Sequence, residues 1–154
     1  MSTALRLLLL ILLLNVVRYV VGGAIEQFTV LPPLFEAMAA SPSYFNTAFT
    51  SVDMATSFLY NGIMWAVAAV VFHLMHPRLE GGWLVKSAKA FGLMYLFFAS
   101  VSAIYMNHYS HPREFYLYNI LDGMIAFGVV ALANALLYPR LLRSAPAPLT
   151  AGGV

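Results

Sequence analysis

An arginine sits at position 18 inside the apolar run LLLLILLLNVVRYVVGGAI, and an aspartate at position 122 inside YNILDGMIAFGVV. An ionisable side chain within a hydrocarbon span is rare and costly, faces the interior as a rule, and marks either an ion pair or a functional site. Asn15, Arg18, Gly22 and Glu26 recur at helical spacing and share one face. If the first helix ends near Ile25, Arg18 lies roughly 10 Å below that end, and Asp122 lies at a comparable depth below Phe115. Asn61 and Asn119 fall in the same layer. Asp122 is therefore the expected partner of Arg18.

Two kinds of chemistry fit this set. In one, Arg18, Asp122 and the two asparagines form a closed network that fixes helix order and rotation. In the other, Glu26, Tyr60, Tyr105 and Asn107 join Asn15, Arg18, Asn61, Asn119 and Asp122 in a polar pocket open to the outer side. There Arg18 would hold an anionic or carbonyl-bearing ligand, or Asp122 would pass a proton.

The histidines form two HxxH pairs, His73 with His76 and His108 with His111. Residues three apart share a helix face, but His76 and His111 each precede a proline, where helices end. Zinc takes at least three protein ligands, so a pair alone is not a site. The outer pair, His108 and His111, comes nearest, since Glu114 or Asp53 could join it; the expectation is nevertheless no bound metal and no cofactor. His73 has Asn134 opposite it, and the two are expected to bond across the inner layer. The chain has no cysteine, no G-x-S-x-G, no HExxH and no glycine-rich phosphate loop, which excludes thiol nucleophiles, thiolate metal sites and the commonest hydrolase and nucleotide sites.

The elements that must position these residues follow from composition. Of 154 residues, 62% are hydrophobic and 9% charged, with a mean hydropathy of +0.81; a soluble domain carries about a quarter charged residues. The bilayer must act as solvent. The expected fold is all-α, an integral membrane four-helix bundle with spans at about 5–25, 54–75, 88–107 and 115–138, forming one domain over 1–143. Arg6, Arg78, Lys86, Lys89, Arg140 and Arg143 all fall on one side of such a bundle, so both termini are expected to be cytoplasmic in a multi-pass protein of the cell membrane. The net charge of +2 is scattered and forms no nucleic-acid patch. Arg6 before LLLLILLL resembles a signal peptide, but Arg18 and the continuing apolar YVVGGAI favour an uncleaved first span.

Boundary signals agree with these spans. Thr50 and Asp53 make a capping box for the second helix, and Pro112 with Glu114 suits the first turn of the fourth. In the outer loop, Pro33 followed by LFEAMAAS reads as a short helix and SPSYFNTAF as the start of another, both lying at the interface. Residues 144–154, rich in proline and small residues, read as a loose tail. FLYN and HPRL in the second helix echo YLYN and YPRL in the fourth, which allows a duplicated two-helix unit.

The sequence thus favours a non-enzymatic accessory, assembly or binding component of a membrane, alone, as a homo-oligomer or with a membrane-complex partner. The alternative is a small transporter or ligand-binding protein whose outer pocket centres on Arg18 and Asp122; an enzyme acting on lipid or quinone ranks third.

Overall fold

The computed structural model describes residues 2–45, 48, 50–110 and 112–142, and among these it contains helices, turns and bends but no strand. The expected tail, with Arg143 and His111, lies outside the described residues. Four helical stretches, Thr3–Gln27, Ser51–Arg78, Trp83–His108 and Arg113–Leu142, are long and apolar enough to cross a membrane. Each extends beyond the expected span at both ends.

The first stretch is three pieces in one axis. Helix α1 (Thr3–Val17) is leucine-rich, a good helix former, and Ser2 caps it by accepting from the Leu5 amide. A π turn follows over Arg18–Gly22, in which the Gly23 amide donates to the carbonyl of Arg18 five residues back. Helix α2 (Gly23–Gln27) completes the stretch. Helix α3 (Leu31–Ala39) lies in the loop that follows α2, with prolines in its first turn, where their missing amides cost nothing. It starts two residues before Pro33. The second expected loop helix is not found where the chain is described: residues 42–45 are turn and bend, and Asn46, Thr47 and Phe49 lie outside the described residues.

Thr50 and Asp53 form the reciprocal capping box of α4 (Ser51–Met75). Pro77 tightens its end into a 3₁₀ turn, His76–Arg78. The chain reverses at Gly81, whose φ of 104° favours glycine; a Cβ there would also meet Val85 at 2.9 Å. Helix α5 (Trp83–His108) and helix α6 (Arg113–Leu142) form a long antiparallel hairpin.

Around the ring, α1 borders α4 and α6, and α5 borders the same two helices. The backbones of α4 and α6 stay apart on the diagonal, and large side chains fill the space between them: Trp65 meets Phe127 edge-on at 4.9 Å and Phe72 meets Tyr138 at 4.9 Å. Helix α3 covers the N-terminal part of α6. The core of Leu10, Leu14, Ala68, Phe72, Phe91 and Val130 runs along the axis, while Leu12, Val20, Phe97, Leu132 and Leu136 are more than half exposed. A water-soluble bundle would turn such residues inward. At the end holding the first and last described helical turns, Arg6 donates to the Leu141 carbonyl, Lys86 to that of His76 and Lys89 to that of Glu80. Basic side chains there satisfy carbonyls that helix ends leave unpaired.

A candidate polar site near the α3 end of the bundle

The π turn decides where Arg18 points. In an unbroken α-helix Glu26, eight residues on, would be rotated about 80° past two full turns. The additional residue held in the π turn leaves the equivalent of seven α-helical steps, about 20° short of two turns, and places both side chains on one face. Arg18 Nη1 accordingly donates to Glu26 Oε2 at 2.8 Å. Gly22, buried between them, supplies the room: a Cβ there would stand 3.2 Å from Arg18 Nη1 and 3.8 Å from Glu26 Oε1.

Asp122 of α6 approaches from across the helix interface, its Oδ2 4.0 Å from Arg18 Nη2. The nearest partner of Arg18 is thus Glu26 on its own stretch, with Asp122 second. One guanidinium facing two carboxylates carries a formal charge of −1 when all three are ionised, so an anion placed here would be repelled. The side chain of Asp122 is 21% exposed, against 4% for Glu26, which makes Asp122 the carboxylate able to meet a ligand.

A cavity of about 140 Å³ adjoins the trio, walled by residues of all four stretches: Arg18, Asn61, Trp65, Phe98, Asn119 and Asp122 stand among them. Gly123 lets α5 come close, since a Cβ on it would meet the Phe98 ring at 2.5 Å. Arg18, Trp65 and Asp122, which help wall the cavity, each hold a buried polar atom without a protein partner among the described residues, namely Arg18 Nε, Trp65 Nε1 and Asp122 Oδ1. Trp65 is 1% exposed. An unpaired buried donor or acceptor costs about 1–3 kcal/mol, and residues that hold two such donors and one such acceptor stand around this one cavity.

Of the residues singled out by sequence, Arg18, Asn61, Asn119 and Asp122 line this cavity, and Glu26 binds Arg18 behind it. Asn15 donates to the Ile11 carbonyl and turns its Oδ1 toward Gly62 of α4. Tyr60, Tyr105 and Asn107 are exposed and do not line the cavity, because their positions fall on the outward faces of α4 and α5. Trp65, Phe98 and Gly123 were missed by the sequence reading. The signal for Trp65 was available: it lies one turn below Asn61, on the same face.

The inner layer differs from expectation. Asn134 donates to Ser87 Oγ at 2.9 Å, not to His73, because its face of α6 packs on α5. His73 instead pairs with Tyr138, one turn further along α6, with 2.6 Å between Nδ1 and the hydroxyl. His76 Nδ1 lies 2.7 Å from the His73 carbonyl and donates to it, and the Tyr138 hydroxyl also stands 3.1 Å from His76 Nδ1 and 3.3 Å from its Nε2. At the C-terminal end of α5, His108 Nδ1 bonds the Ile104 carbonyl of its own helix. Among the described residues no three histidines, aspartates or glutamates gather as metal ligands would.

The echo between the second and fourth membrane-length helices acquires a spatial counterpart. Asn61 and Asn119, equivalent in FLYN and YLYN, line the same cavity, and His76 and Tyr138, equivalent in HPRL and YPRL, are in hydrogen-bond contact. Compared with known proteins, the chain matches no family model, no curated protein and no solved structure.

Proposed function

We propose that this chain is a multi-pass integral membrane protein with both termini in the cytoplasm, and that it binds a small uncharged polar group in the outer-half cavity as a ligand-binding or transport component. The observation that carries the reading is that Arg18, Trp65 and Asp122, three residues walling one cavity, each hold a buried polar atom, Nε, Nε1 and Oδ1, without a protein partner among the described residues. The donors Trp65 and Arg18 require an acceptor, which an ammonium lacks; Asp122 requires a donor, which a carboxylate lacks. The orientation is supported by Arg78, Lys86, Lys89 and Arg140 near the end where Arg6 meets Leu141.

A second reading, an accessory or assembly subunit of a membrane complex, is favoured by the outer half of α4. Ser57, Tyr60 and Ile63 stand exposed there, and the helix is tied to α6 only through long side chains. One experiment separates the two. Native mass spectrometry of protein extracted in mild detergent should show a small non-protein adduct on the wild type, lost in Trp65→Phe and in Asp122→Asn. A wild type free of any adduct, or an adduct that persists in both folded variants, would overturn the ligand reading; a protein partner at fixed stoichiometry in its place would establish the second.

A further inference from the structure

A second hollow, of about 360 Å³, lies beside the cavity and is lined by Tyr19, Phe35, Met54, Ser57, Phe58 and Asn61. Met54, Ser57, Phe58 and Asn61 follow one face of α4 from its outer end inward, and Tyr19 closes the opposite wall, its ring edge-on to Phe58 at 4.9 Å. The walls are aromatic and aliphatic toward the outer end. Toward the inner end stand Asn61 and Tyr19, whose hydroxyl is buried without a partner among the described residues. Asn61 keeps one amide proton engaged with the Ser57 carbonyl and also walls the polar cavity. An apolar groove and a polar cavity therefore meet at one asparagine.

We infer that the occupant of the cavity is a membrane-borne amphiphile with a hydroxyl head, its hydrocarbon chain lying in the groove between Tyr19 and Phe58 and its hydroxyl entering the cavity past Asn61. The inference rests on the reading of the cavity as a binding site and adds the class of ligand. A hydroxyl donates once and accepts twice, which matches Asp122 Oδ1 on one side and the N–H groups of Trp65 and Arg18 on the other. A carboxylate or phosphate head would add charge of the same sign as the excess carboxylate. Size points the same way: the cavity alone is smaller than the usual range of about 300–1,000 Å³ for small-molecule sites, and the groove brings the pair within it. A chain already dissolved in lipid gains little from leaving it, since lipid tails are as apolar as the walls. The groove would contribute selection and alignment, and the polar contacts would hold the head.

The test uses the full chain in lipid nanodiscs with Trp83→Phe as background, so that Trp65 is the only tryptophan and its emission reports the cavity. The probes are 1-dodecanol, dodecanoate, dodecane and 1-propanol. The expected result is a saturable emission shift with dodecanol at a lower mole fraction in the bilayer than with propanol, and none with dodecane or dodecanoate. Ser57→Leu, which fills the groove, should abolish the advantage of dodecanol and leave the propanol response; Met54→Phe serves the same purpose if Ser57→Leu does not fold. Equal binding of the two alcohols, unaffected by either variant, would overturn the chain assignment while leaving the cavity reading in place. Binding of dodecanoate as tight as that of dodecanol would overturn the hydroxyl assignment. No response to either alcohol in a folded protein would remove both the inference and the reading beneath it.

Discussion

Arg18 is tolerable because two carboxylates face it, and they do not face it equally. Removing one member of a buried pair typically costs about 3–5 kcal/mol, since the other charge is left uncompensated. The 2.8 Å bond to Glu26 and the 4.0 Å approach of Asp122 predict that a double-mutant cycle for Arg18 and Glu26 gives the larger coupling, by about 1 kcal/mol or more. Denaturant unfolding in detergent of Arg18→Ala, Glu26→Gln, Asp122→Asn and the two double variants measures this; equal couplings would show that Glu26 is not the principal partner. Gly22 gives a second prediction. Gly22→Ala should destabilise by about 1–3 kcal/mol, as crowding of packed groups does, because its Cβ would press on Arg18 Nη1. Gly23→Ala, with nothing within 4 Å of its Cβ, should be neutral or stabilising by up to about 1 kcal/mol. The same unfolding assay distinguishes the two neighbours. Sequence periodicity selected Arg18, Glu26 and Asp122, and matched depth put Asp122 first as the partner of Arg18; nothing in the letters RYVVG announces the π turn that brings Glu26 to it.

At the scale of elements, the π turn is an extra residue that the first stretch can lose. Deleting Val20, which is 65% exposed, should convert the turn to α-helix, keep Arg18 and Glu26 two turns apart and leave most of the stability intact. Deleting Leu12, also exposed, offers no such relief: it turns Leu10 about 100° away from the core and should prevent stable folding. Comparable losses for both deletions, read by circular dichroism and thermal unfolding, would contradict this account of the turn. The long helices were legible because hydrophobicity, caps and prolines all act locally: Thr50 with Asp53 and Pro112 stand where helices begin. Residues 42–45 were not legible, because a proline and polar residues read equally as a helix start or a turn, and only packing chooses. The partners of His73 and Asn134 depend on which face of α6 meets α5, a tertiary fact absent from local pattern.

For the whole molecule, the exposed leucines and valines of all four stretches and the basic residues gathered at one end lead to a topology prediction. Reporter fusions after Gly82 and after Leu142 should both report cytoplasm, and one after Ser110 the opposite side; a disagreement at any of the three would overturn the orientation. The cavity was the least legible feature. It arises where Gly123 admits Phe98 and where α4 and α6 stand apart on the diagonal, and neither distance is written in a single helix. The central claim is that this cavity holds a ligand that completes the hydrogen bonds of Trp65 and Asp122. The most direct measurement is an experimental density map of the protein in native lipid, at a resolution that shows side-chain contacts. The account predicts non-protein density within hydrogen-bond distance of both Trp65 Nε1 and Asp122 Oδ1. A collapsed cavity, with Trp65 Nε1 bonded directly to Asp122 or to Asn119 and no space between them, would contradict it.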